Sequence, residues 1–306
     1  MKKNNLLFFI FLISLLIAII ISPAKFISAG LSGISAWTFN VLPAVLPFMI
    51  ISQLLIKTSV IEKVCSPFSK PFVAIYKTSP YSFYVFFVSI ISGYPVGSKL
   101  IADLYEQNKI TQADAYKMSS FCSNSGPMFI VGAVGVGMLA NPSAGYIILA
   151  SHIISALING LIYRNLKTTD KRSKTTIITK DNLSFGEIIE NSCRSILSVG
   201  AIIMFFFIII EFVSIFLGFL PCEFQSVIFG IIEITKGCKS ISQSFPIIHA
   251  TILSTIIITF GGISTAFQSI SLLKRVNMPL SLFIKQKITQ SVISGFVSFF
   301  LCLLFY

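Results

Sequence analysis

Charge is scarce in this chain of 306 residues: 11% of its side chains are charged, against roughly a quarter in an ordinary soluble domain. Acids are scarcer still, 11 in all, and there are two histidines and one tryptophan. The histidines, His152 and His249, each stand inside an apolar run, so no zinc site and no other metal site is expected. No His-Glu-x-x-His, paired-aspartate or Ser/His arrangement occurs, which argues against an enzyme and leaves no catalytic residue or cofactor to assign. The six cysteines (65, 122, 193, 222, 238 and 302) lack metal-ligand spacing and close pairs. Cys222 and Cys238 share the outer side in the topology below, which leaves a disulfide between them open.

What fills the chain instead is apolar. Hydrophobic residues make up 55%, with 30 phenylalanines and a mean hydropathy of +0.88. This composition belongs to an integral membrane protein, with the bilayer as its first partner. The net charge of +12 does not indicate a nucleic-acid partner, because the basic residues sit in short loops beside apolar runs, as the positive-inside rule expects.

Along the chain, residues 6–21 form a first span, too long for the apolar core of a signal peptide, which runs to about 15 residues. Residues 37–56 form the second span, kinked by Pro43 and Pro47. In 61–77 the apolar residues recur at helical spacing, and Pro67 and Pro71 should divide them into two short interfacial pieces. Residues 81–91 are apolar but fall well short of the roughly 20 residues a helical crossing needs. They run into the Gly93–Gly97 turn and return through 98–105, the pattern of a re-entrant hairpin. A charged loop follows at 107–117, then a span over 118–139 broken at 123–127, then a crossing at 144–163. After a basic linker, 185–194 reads as an interfacial helix with an i,i+4 Glu190–Arg194 pair, leading into a span at 196–217. Residues 224–234 are again too short and form a second hairpin. A span over 246–270 breaks at Gly261-Gly262, 274–287 is a basic loop, and 288–306 is the last span.

The fold class is therefore an all-α polytopic membrane protein with about seven transmembrane helices, two re-entrant hairpins and broken helices. With the N-terminus inside, 20 of the 23 basic residues fall on the cytoplasmic side, leaving Lys25, Lys236 and Lys239 outside. The order span, hairpin, broken span, span occurs twice, starting from opposite sides, so the halves form an inverted repeat. The chain divides into 1–35 (first span and external loop), 36–163 (first repeat), 164–184 (basic cytoplasmic linker) and 185–306 (second repeat).

Unwound polar backbone at membrane depth survives only inside protein or beside a polar cavity. The four breaks are thus the expected substrate site, as in carriers built from discontinuous helices. In the first half these are Gly93, Tyr94, Pro95, Gly97, Ser98 and Lys99, answered by Ser123, Asn124, Ser125 and Gly126. In the second half they are Glu233, Thr235 and Gly237, answered by Gly262, Ser264 and Thr265. Half-helices restarting at Pro95 and Pro127 would turn their partly positive ends toward a carboxylate. All four arginines lie at cytoplasmic edges, so an anion would rely on backbone N–H groups, hydroxyls and Lys99. Tyr94 offers a ring for stacking on a flat ligand, or for packing. Glu233, in apolar surroundings, would carry a coupling proton, pair with Lys236, or order Thr235 and the hairpin tip. Glu211, mid-span, is expected to make a structural hydrogen bond. Gly132, Gly135 and Gly137 read as packing positions.

Ser92-Gly-Tyr-Pro-Val-Gly-Ser-Lys99, Phe121-Cys-Ser-Asn-Ser-Gly-Pro127 and Ile130-Val-Gly-Ala-Val-Gly-Val-Gly-Met138 resemble the YlbJ-type family of sporulation integral membrane proteins. Glu233-Ile-Thr-Lys-Gly237 and Ser264 after Gly261-Gly262 are similar to the second half of that family. The family sits in a wider nucleoside-recognition, or gate, group whose hairpins are similar to those of concentrative nucleoside transporters. The resemblance implies a multi-pass protein of the cell membrane, in the outer forespore membrane during sporulation. It implies movement of a small organic anion, dipicolinic acid, from the mother-cell cytoplasm toward the forespore. A coupling proton or sodium ion, the oligomeric state and any partner proteins stay open. Two alternatives remain at this level: a nucleoside or other small-metabolite carrier, and a non-transporting scaffold for spore assembly.

Overall fold

The computed structural model describes residues 3–57, 60–168 and 184–306, so most of the basic linker lies outside the described residues. Every described element is helical and no strand occurs among them. Helix α1 (Lys3–Ile21) meets α2 (Pro23–Ala36) at a bend of 105°. Residues 23–36, expected in an external loop, are thus helical, and they continue through a widened π-type turn (Trp37–Val41) into α3 (Leu42–Lys57). That wide turn sits where Pro43 removes the N–H that would have bonded back toward residue 39.

The next segment corrects the expected division at Pro67 and Pro71. Both prolines lie inside a single helix, α4 (Val60–Tyr76). The first hairpin follows as α5 (Ser82–Ser92) and α6 (Val96–Glu106). The charged loop expected at 107–117 in fact contains α7 (Gln112–Ser119), started by a capping box between Thr111 and Asp114. After unwound chain at 120–126 the helix resumes at Pro127, in π-type geometry over Met128–Val136, then α8 (Pro142–Tyr163) starts with Asn141 as its cap.

In the second half α9 (Phe185–Leu217) is one unbroken helix of 33 residues, so no separate interfacial piece precedes the span. The expected Arg194–Glu190 pair forms at 2.6 Å, but both side chains are exposed, and such pairs contribute little. The second hairpin is α10 (Cys222–Ile232) and α11 (Ile234–Ser244), and the second broken helix is α12 (Ile247–Phe260) with α13 (Gly262–Leu273). Helix α14 (Leu280–Phe305) starts well inside the stretch expected as a basic loop, because Pro279 can open a helix and the polar residues that follow share one buried face. Four described helices are long and apolar enough to cross a bilayer, or five with the bent α1–α2 pair. Cys222 is exposed, Cys238 is buried, and both are free thiols.

Two packing units position the site. Helix α9 lies along α2 and α3, and glycines let it approach: a Cβ on Gly33 would stand 2.9 Å from the Met204 Cα, and one on Gly200 would enter the Trp37 ring at 2.6 Å. Helices α8, α12 and α14 pack together behind the breaks. Gly135 packs on Gly145, as the packing reading of that glycine anticipates.

At one end of the bundle the halves are tied by Arg275, which bonds Asp103 at 2.8 Å and also Glu106. The Arg275 hydrogen bond holds the Glu106 carboxyl below the usual range. A lowered carboxylate stabilises the fold above its unfolded value, about pH 4.3, and that contribution fades as pH falls through the lowered value. Both side chains are about a third exposed, so the tie is worth roughly 0–1 kcal/mol. Arg275→Gln should lower the melting temperature slightly at neutral pH, and the difference should disappear in acid. An equal deficit at every pH would mean that packing, not the ion pair, was lost.

Candidate functional site

All four breaks meet near the middle of the molecule. Within the first half, Gly93 (φ +72°) packs on Gly126 so closely that a Cβ there would be 2.7 Å from the Gly126 nitrogen. Tyr94 is joined to Pro95 by a cis peptide bond. Within the second half, Gly262 (φ +66°) faces the carbonyls of Gly230 and Ile232. Gly261 (φ +91°) brings the halves together, since a Cβ on it would lie 3.2 Å from the Tyr94 hydroxyl.

The unwound backbone is satisfied largely by side chains from other elements. The Ser125 N–H donates to His152 Nε2 at 3.1 Å, and His152 Nδ1 lies 2.9 Å from the Thr259 hydroxyl. Lys287 of α14 donates to the Ser123 carbonyl at 2.9 Å, the Tyr94 hydroxyl at 2.8 Å and Gln290 Oε1 at 3.2 Å. Its side chain is almost wholly buried, and no carboxylate lies within ion-pair distance of it among the described residues. The sequence places Lys287 in the cytoplasmic basic loop at 274–287, whereas the structure places it on α14. Its place at helical register with Phe283, Gln290 and Ser294 was the signal that it belonged to a buried helix face.

Glu233 terminates α10 and caps α11, accepting the Lys236 N–H at 2.8 Å, with the Thr235 N–H and hydroxyl also bonded to it. A carboxylate at a helix N-terminus is favoured by the helix dipole. Of its three expected roles, ordering Thr235 and the hairpin tip is the one the contacts display. The Lys236 side chain turns away, over the Phe207 ring.

A cavity of about 850 Å³ opens between these breaks and the arms α3 and α9. From the first half Gly93, Tyr94, Pro95, Lys99, Ser125 and Gly126 line it; from the second, Glu233, Thr235, Ser264 and Thr265. The remaining expected residues stand behind its wall. Gly97 packs against the Cys122 carbonyl, Gly237 packs on Gly230, and Gly262 on its neighbouring carbonyls. Ser98 and Ser123 are buried. Asn124 is committed to the Ser89 hydroxyl at 3.0 Å and the Phe121 carbonyl at 2.7 Å, so it shapes the break. Ser92, Asp103 and Gln268 line the cavity without having been singled out. The Ser92 hydroxyl is buried without a hydrogen-bond partner among the described residues. The cavity extends along α6 past Lys99 to Asp103, and along α13 to Ser271 and Leu272, toward the end tied by Arg275.

Helix breaks that bring a few polar groups to the wall of a largely apolar cavity, in a chain of apolar helices, define the class: a multi-pass helical membrane protein. Within that class the chain resembles a sporulation protein. It is similar to the sporulation integral membrane protein YlbJ of Bacillus subtilis (strain 168), being 28% identical over 333 residues, 95% of this chain and 81% of that protein. No family model and no solved structure matches.

Proposed function

We propose that this protein is a carrier for a small planar organic anion, dipicolinate, which it moves from the mother-cell cytoplasm toward the forespore. In this reading it has seven crossings and two re-entrant hairpins in an inverted repeat, with the Arg275 end facing the cytoplasm. The observation that carries the proposal is the cavity of about 850 Å³ at the meeting point of four helix breaks. Its volume suits a small ligand, and a scaffold would have no use for polar backbone gathered around a void. The identity of the anion rests on the resemblance to sporulation proteins.

The chemistry follows from the lining. Lys99, the Ser92 hydroxyl, which has no partner among the described residues, and the Ser264 hydroxyl can meet carboxylates on opposite edges of a ring, while the Thr265 hydroxyl donates to the Gly261 carbonyl. Tyr94 carries the buried charge of Lys287 to the cavity wall through its hydroxyl. Glu233 and Asp103 are the acids facing the cavity, so the site balances the anion against both signs of charge. A proton on Glu233 would remove one repulsion and couple transport to pH.

Purified protein in liposomes should take up dipicolinate and bind it measurably by calorimetry, with nucleosides neither transported nor competing. Nucleoside uptake without dipicolinate uptake would replace the substrate. Binding of neither would remove the carrier reading.

A further inference from the structure

The central cavity runs from the breaks toward the end tied by Arg275. On the far side of the breaks lies a second pocket of about 380 Å³, whose polar and aromatic lining is Lys25, Ser28 and Ser32 of α2, Phe207 and Glu211 of α9, and Lys236 of α11. Positions 25, 28 and 32 share one face of α2. Glu211, expected to make a structural hydrogen bond, turns its carboxylate into this pocket and faces Lys236.

Two elements run from one cavity into the other. Along α9, Ser195, Val199 and Ile203 line the central cavity, and Phe207 and Glu211, continuing at four-residue steps, line the outer pocket. In the first turn of α11, Thr235 faces the central cavity and its neighbour Lys236 faces the outer pocket. Between Ile203, at the central cavity, and Glu211, at the outer pocket, α9 carries Phe207, 2% exposed, with Lys236 Nζ 5.3 Å from its ring centre. On the α2 side Gly33 leaves just enough room for that ring, since a Cβ there would come within 3.1 Å of it.

We propose that the outer pocket is a second anion site on the same pathway, taking a carboxylate between Lys25 and Lys236, and that Phe207 with Lys236 is the partition closing it from the central cavity. This rests on the carrier reading above. Two ammonium groups and two hydroxyls face one carboxylate, and no ion pair joins Glu211 to either lysine among the described residues. An ammonium over a ring face is held by the ring quadrupole. A carboxylate reaching Lys236 competes for that ammonium, so an occupied outer pocket loosens the partition. A lipid phosphate offers the same chemistry, and the test separates the two.

The full chain is used with Cys193 and Cys222, the two cysteines that are not buried, replaced by serine. A membrane-impermeant anionic thiol reagent is applied to the outer face of sealed vesicles. The Ser32→Cys protein should label from that face, and dipicolinate should slow labelling several-fold in purely zwitterionic lipid. The Ser264→Cys protein should label only from the inner face, and adding Phe207→Ala should open it to outer-face labelling. Phe207→Leu, closer to the native volume, should give a smaller opening and guards against misfolding of the alanine variant. Two results overturn the proposal while leaving the central cavity intact: Ser264→Cys closed to the outer face in both Phe207 variants, or Ser32→Cys protected only by anionic lipid. Labelling of Ser264→Cys from neither face would instead remove the aqueous cavity, and the carrier reading with it.

Discussion

On the carrier function proposed above, Lys287→Met should yield a folded protein that has lost most of the affinity for dipicolinate. The native ammonium is buried, spends its donors on Tyr94, Ser123 and Gln290, and has no carboxylate partner among the described residues. A buried charge without an opposite partner is costly to hold away from water. A packing role would not need it, since methionine fills the same space. A charge-assisted hydrogen bond is worth about 1.5–3 kcal/mol; if the Lys287 bond to Tyr94, which lines the cavity, serves the bound ligand in full, its loss is roughly ten-fold or more in affinity. Part of that loss passes through Tyr94, whose hydroxyl is no longer held. Lys287→Gln, which keeps hydrogen bonding without charge, separates the two contributions: if charge matters, it should behave like the methionine variant. Calorimetry with a melting curve as control decides the matter. A stable Lys287→Met protein that binds dipicolinate normally would make the lysine a structural clasp.

Glu233→Gln should express and fold, yet transport with a changed pH profile. A glutamine oxygen can still accept the Lys236 N–H, so α11 keeps its cap. What disappears is the ability to gain and lose a proton where Glu233 faces the cavity. Glu233→Leu is the informative contrast, because it removes the cap as well and should cost about 1 kcal/mol in stability. Uptake by the glutamine variant at the native rate, with an unchanged pH profile, would reduce Glu233 to its capping duty.

The breaks were legible in the sequence because their chemistry is local. Gly93, Gly261 and Gly262 adopt positive φ, and runs such as Phe224–Ile234 are visibly too short to cross. Glu233 stood out because a carboxylate amid isoleucines is conspicuous. Lys287 and His152 did not, because their roles depend on which distant backbone they meet, Ser123 and Ser125, more than a hundred and 27 residues away respectively. Asn124 illustrates the opposite error. Its motif marks the break correctly, but whether an amide faces a cavity or clamps its own turn is decided by packing with Ser89, which spacing cannot display. Pro67 and Pro71 misled for a similar reason: a helix tolerates proline where other groups satisfy the freed carbonyls.

The Lys287 bonds to Tyr94 and Ser123 also bear on how the protein is made. During synthesis the unwound 120–126 segment enters the membrane long before its partner exists, because Lys287 belongs to the last helix. Until α14 is inserted, the Ser123 carbonyl lacks this donor and the Tyr94 hydroxyl has no anchor. The first half therefore reaches its final set of hydrogen bonds only once the last helix is in place.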